Sequence, residues 1–181
     1  METPPQHKRR GLLGRRLSLA ERYYERALYA YGRGRLDAAT ADLDEAILAE
    51  PKRAEFYIAR GLVLLADGRA DDAEEDFAYG LALDPAQWGA HYGRGMRAFD
   101  AGDYRAAVDA FSRAQQLAPD RYEIYVYRAI ALHLLGQTDE ALRDVRYAAT
   151  LIDAADKRQR LVKRWIETLE EAASGTDRPS L

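Results

Sequence analysis

The chain has 181 residues, 48% hydrophobic and 31% charged, with a net charge of −3, which is the balance of a folded chain rather than a disordered one. It holds no cysteine and three histidines (His7, His91 and His133), so disulfides, thiolate metal sites and a cysteine nucleophile are excluded and no cofactor is expected. No apolar run approaches the ~20 residues of a membrane helix, and no apolar stretch of signal-peptide length follows the basic start, so a cytoplasmic location is expected.

The chain opens on a basic arm, residues 1–17. Residues 1–19 carry Lys8, Arg9, Arg10, Arg15 and Arg16 against Glu2, a net of +4, which leaves −7 for the remainder. Pro4, Pro5, Gly11 and Gly14 disfavour a helix, so a disordered arm is expected. Ser18 and Glu21 stand at capping-box spacing and start a first helix that runs to about Tyr31. Gly34 suits the left-handed residue that ends a helix. A second helix over about 37–49 stops before Pro51. The order then recurs: helices over about 53–66 and 71–83 with Gly68 between and Pro85 after, then 87–101 and 104–117 with Gly102 and Pro119. The fourth pair spans about 122–135 and 139–152 around Gly136. Asp103 is placed as an N-cap. A last amphipathic helix over 154–173 gathers Leu161, Val162, Trp165, Ile166 and Leu169 on one side, and residues 174–181 form a tail.

These elements repeat on one fixed step, the spacing from Arg26 to Arg60. Arg94 and Arg128 keep it, as do the four glycines, Ala39, Ala73, Ala107 and Ala141, and three prolines, with Asp153 standing where a fourth would be. Such a period means stacked units, about 20–53, 54–87, 88–121 and 122–153, within 18–153. A solenoid end exposes apolar surface, which makes the last helix a cap. Ala27, Gly61, Gly95 and Ala129 let paired helices approach. Leu43, Phe77, Phe111 and Val145 fill the space between units, with Tyr23, Tyr57 and Tyr125 opposite; His91 replaces that tyrosine in the third unit. Asp42, Asp76 and Asp144 each follow an arginine of the ladder at one constant spacing, and the third unit shifts its acid to Asp109. The ladder therefore reads as interhelix ion pairs, expected to be exposed and to add about 0–1 kcal/mol each.

The third unit shows the pattern most cleanly, in His91, Arg94, Gly95, Ala98, Ala107, Phe111, Ala114 and Pro119. It resembles the tetratricopeptide repeat, with His for Trp, Arg for Leu and Ala for Tyr as departures, and the resemblance covers about residues 20–153. It implies an all-α fold: a right-handed α-solenoid of four antiparallel helix pairs plus a C-terminal capping helix. It also implies a protein-binding scaffold or adaptor without catalytic activity, whose first helices line a concave groove for an extended peptide. Carried onto this chain, the groove residues are Tyr24, Leu28, Tyr31, Ile58, Leu62, Leu65, Tyr92, Met96, Phe99, Val126, Ile130 and His133. Glu21, Glu55, Asp100 and Glu123 border them. The outermost of each triple (Tyr31, Leu65, Phe99 and His133) are expected to be the most accessible. A partner segment mixing apolar and basic residues would match, and residues 8–17 are such a segment themselves. Family members that grip chaperone tails clamp a carboxylate with Lys, Asn and Arg; the matching sites hold Tyr24, Leu28, Ala59, Gly89 and Gly93, which argues against a ligand of that kind. The subordinate readings are contact with nucleic acid or an anionic membrane through the arm, and a homo-oligomer built through the groove.

Overall fold

The computed structural model describes residues 17–174. The basic arm up to Arg16, expected to be disordered, and the tail from Gly175 lie outside them. The described residues form helices and turns without strands: α1 (Leu19–Gly32), α2 (Leu36–Ala49), α3 (Ala54–Ala66), α4 (Ala70–Leu83), α5 (Trp88–Asp100), α6 (Tyr104–Leu117), α7 (Tyr122–Leu134), α8 (Thr138–Leu151) and α9 (Arg158–Ala173). Consecutive odd and even helices pack as pairs, and each pair packs on the next. The result is an all-α solenoid.

Local chemistry sets the helix ends. The Ser18 hydroxyl accepts the Glu21 N–H at 3.1 Å, and the Glu21 carboxylate accepts the Ser18 N–H at 2.7 Å, a complete capping box. Asp103 caps α6 through the Ala106 N–H. Gly34, Gly68, Gly102 and Gly136 turn each pair with φ of 70° to 80°, a region in which a side chain would be strained.

Within each pair, one contact sets how closely the helices approach. A Cβ on Gly61 would meet the Phe77 ring at 2.6 Å, and one on Gly95 would meet the Phe111 ring at 2.6 Å. Where the first helix carries alanine instead, the partner is smaller: Ala27 packs in a cluster with Leu43, and Ala129 in one with Val145. Glycine faces phenylalanine and alanine faces a branched aliphatic, so the volume across the pair is held nearly constant. Tyr57 and Tyr125 donate to the carbonyls of Pro51 and Pro119 at 3.0 and 2.9 Å, and their rings pack at a tilt against Tyr79 and Tyr147. They tie each interunit turn to the helix that follows.

The arginine ladder forms in three units. Arg26 bonds Asp42, Arg60 bonds Asp76 at 2.8 Å through two nitrogens, and Arg128 bonds Asp144 at 2.7 Å through two nitrogens. The aspartates are buried, but the arginine side chains range from 14% exposed at Arg128 to 63% at Arg26, so the pairs run from half-buried in the fourth unit to open in the first. The third unit differs from the sequence expectation. Asp109 is exposed, and Arg94 reaches back to Glu74 of the preceding unit at 2.6 Å. The position that matches Asp42, Asp76 and Asp144 in this unit holds Ala110, which offers nothing to bond.

The last helix starts at Arg158, four residues later than expected. Asp153 accepts the Ala155 N–H and Asp156 accepts the Arg158 N–H, which keeps the intervening chain in turns. The Arg158 side chain and that N–H together hold the Asp156 carboxyl down to about 2. Gln159 closes the end of α8 by donating to the carbonyls of Ala149 and Ile152. Val162 and Leu169 are buried and Trp165 and Ile166 half-buried against the fourth unit, as a cap requires. Leu161 is 66% exposed and takes no part in that face.

Candidate peptide-binding groove

The first helices of the pairs, α1, α3, α5 and α7, contact one another in turn, and they carry the residues assigned to the groove. The twelve residues assigned to it fall into two groups. Tyr24, Leu28, Tyr31, Ile58 and Leu62, with Glu55, line one cavity of about 160 Å³ between α1, α3 and the start of α5. The remaining seven line no part of it. Leu65 packs on the core of the second unit, and Tyr92, Met96 and Phe99 pack on that of the third. Val126, Ile130 and His133 are half-buried along α7. His133 lies edge-on to Trp165 of α9, with ring centroids 6.5 Å apart, so the cap closes this end of the wall.

Accessibility does not follow the outermost position. Tyr31 is exposed at 41%, but Leu28 is more so at 46%, and Leu65, Phe99 and His133 are half-buried. The neighbours decide this: Phe99 leans on Tyr104 at 5.5 Å, and Trp165 stands over His133.

Sequence reasoning missed Trp88 and Gln87, which form the far wall of the cavity with Gly89. The signal was present. The positions one repeat either side of Trp88 hold Ala54 and Tyr122, so a lone tryptophan opens α5. Gly89 replaces the glutamate of the other units (Glu21, Glu55 and Glu123). A Cβ there would meet the Ile58 side chain at 2.8 Å, and one on Gly93 would run into the Phe77 ring. These two glycines seat α5 directly on the second unit and bring Trp88 to the cavity.

Polar groups at the mouth are tied together. Arg53 bonds Glu55 and Glu50 and lies 3.9 Å from Glu21. Burial, and then the nearby Glu55, push the Tyr24 phenol above its ordinary value, so it stays protonated as a donor. Tyr92 is pushed up further, first by burial and then by Tyr127 and Glu123. The other border residues are apart: Glu123 is half-buried at the start of α7, and Asp100 is exposed at the end of α5.

Among the described residues, no group of His, Asp and Glu is placed to hold a metal ion, and no helix is long and apolar enough to cross a membrane.

Helix pairs stacked on one step, with an inner wall built from the first helix of each, define an α-helical repeat scaffold. The model of the tetratricopeptide repeat matches residues 16–87 and 92–158, and the chain belongs to that family, whose fold is a general protein–protein interaction scaffold. Tetratricopeptide repeat protein 36 of mouse is 43% identical over 56 residues, 31% of this chain and 30% of that protein, so the chain matches under a third of that relative's length. PilF of Pseudomonas aeruginosa shares the fold with a TM-score of 0.73 at 18% identity, over 87% of this chain and 70% of that one. The first such domain of Spaghetti (RPAP3), bound to the HSP90 peptide SRMEEVD, is similar with a TM-score of 0.58 at 19% identity, over 65% and 96% of the two chains.

Proposed function

We propose that the chain is a non-catalytic cytoplasmic adaptor that holds an extended partner segment on its inner wall. One apolar side chain of that segment enters the cavity between α1 and α3. The observation that carries the reading is the cavity itself, which is apolar on most sides and lined by exposed Leu28 and Tyr31. Small ligand sites of this kind combine apolar walls with a few polar groups that orient the ligand. Here those groups are Glu55, Gln87 and the Tyr24 hydroxyl. The solenoid of residues 18–153 supplies the wall, and the cap helix closes its end.

The partner differs from the peptide held by Spaghetti. A terminal carboxylate needs cationic or amide donors. The matching positions are Tyr24, Leu28, Ala59, Gly89 and Gly93, and four of these five line the apolar cavity. An internal segment with a leucine or aromatic anchor fits them better. Basic residues beside the anchor fit the carboxylates around Arg53.

A random peptide library selected against the full chain tests this. Peptides sharing one large apolar residue beside basic ones are expected. Their binding should fall at least tenfold in Leu28→Glu, whose site is open enough to take the charge without unfolding. Absence of any enriched motif, or equal binding by both proteins, would overturn the reading.

A further inference from the structure

We propose that the cavity is occupied by the chain's own basic segment, residues 8–17, with Leu12 or Leu13 as the anchor, and that an outside partner binds by displacing it. The proposal rests on the reading of the cavity as a side-chain pocket.

Reach comes first. The described chain begins at Leu17, beside Ser18, the N-cap of α1, and α1 supplies Tyr24, Leu28 and Tyr31 to the cavity. At 1.5 Å per residue, Tyr24 lies about 9 Å and Leu28 about 15 Å along α1 from Ser18. Leu13 precedes Ser18 by five residues, about 16 Å of extended chain. With the chain turning back beside Ser18, that length passes Tyr24 and just reaches the level of Leu28, and Leu12 lies one residue further.

Charge points the same way. Among the described residues, Arg53 gathers three carboxylates, those of Glu21, Glu50 and Glu55. This cluster sits where the segment joins the helix, because the Ser18 hydroxyl donates to Glu50 at 2.7 Å. Arg15 and Arg16 are three and two residues from Ser18, so a segment turning back along α1 carries them past the cluster. The segment reads Lys8-Arg9-Arg10-Gly11-Leu12-Leu13-Gly14-Arg15-Arg16-Leu17, in which the two adjacent leucines are flanked by basic residues on both sides. That is the chemistry the cavity and its mouth select.

Tethering makes a weak contact sufficient. A short linker gives an effective concentration in the millimolar range. An outside ligand then sees only the fraction of molecules with an open cavity, and its apparent affinity falls by that fraction.

The lack of native cysteine allows a direct test in the full chain. Leu13→Cys is combined with Leu28→Cys, and separately with Leu48→Cys. Leu48 is 78% exposed, near Glu50 and outside the cavity, so it reports random encounters from the same root. Under mild oxidation the intramolecular disulfide to position 28 should form at least tenfold faster than that to position 48. The difference should shrink as salt screens the carboxylates. Deleting residues 1–16 should raise the affinity of a library-selected peptide at least fivefold. Equal oxidation rates would overturn the proposal, as would disulfides mainly between two chains. If the rates are equal but selected peptides still depend on Leu28, the cavity reading stands and self-occupation falls. If neither result appears, both fall.

Discussion

The inner wall is open between α1 and α3 and filled between α5 and α7, although both are built from the same repeated positions. One site explains most of the difference. Ala59, Gly93 and Tyr127 stand one repeat apart on α3, α5 and α7. Ala59 is small and forms part of the cavity wall. Gly93 removes the side chain, so α5 settles against Phe77. Tyr127 fills the space, with its ring stacked 6.2 Å from Phe111 and edge-on to Tyr92 at 5.9 Å. A solenoid can therefore place a pocket at one interface by the size of a single residue.

The filled half depends on its cap, and removing it is the harshest way to disturb the contrast. Truncation after Ile152 should leave the fourth unit uncovered and the chain aggregation-prone, read by light scattering and by loss of a cooperative melt. Leu169→Ala, at a fully buried position, should cost about 2–5 kcal/mol. For a chain of this size that lowers Tm by roughly 2–4 °C per kcal/mol. Leu161→Ala, on the exposed side, should stay within about 0.5 kcal/mol.

The ladder also differs between units. Arg128 faces a buried carboxylate and also bonds Ser112 and Gln115 of the preceding unit. Arg128→Ala leaves Asp144 without its counter-charge and should cost on the order of 3 kcal/mol in urea unfolding. Arg94 and Glu74 are both one-third exposed, so Arg94→Ala should cost about 0–1 kcal/mol.

These differences separate what was legible in the sequence from what was not. Helix pairs, turns and caps were legible because they depend on local chemistry at fixed spacing: Ser18 with Glu21, Gly34 and its repeats, and Asp42 with its repeats, each at a constant distance from an Arg. The partner of Arg94 was not, because Ala110 breaks the spacing and the substitute, Glu74, lies back in the preceding unit. The exposure of Leu161 was hidden by the turns at Asp153 and Asp156, which set how α9 rotates. How deeply Leu65, Phe99 and His133 sit was not legible either, because a shared face says which residues point the same way, not which of them a neighbour covers. The effect of Trp165 on His133 depends on tertiary contact alone.

The smallest expected effect concerns the third unit's missing tyrosine. His91 stands where Tyr57 and Tyr125 donate to a proline carbonyl six residues back. Burial, then Arg94 and Arg113, hold its pKa below the ordinary 6.5. The unfolded chain therefore takes up this proton more readily than the folded one. Stability from this group is present above about pH 6.5 and declines as pH falls below it. His91→Tyr should add about 1 kcal/mol through a bond to Pro85 and flatten stability between pH 5 and 7. Urea titrations at the two pH values check both effects.

Ala59 is the residue whose small size leaves the cavity open. Ala59→Tyr copies into the second unit the residue that Tyr127 provides in the fourth, where its ring packs on Tyr92 and Phe111. Affinity for a library-selected peptide should fall at least tenfold in this variant, measured by calorimetry, while Tm stays within a few degrees of the wild type. Unchanged affinity in a folded Ala59→Tyr protein would contradict the account.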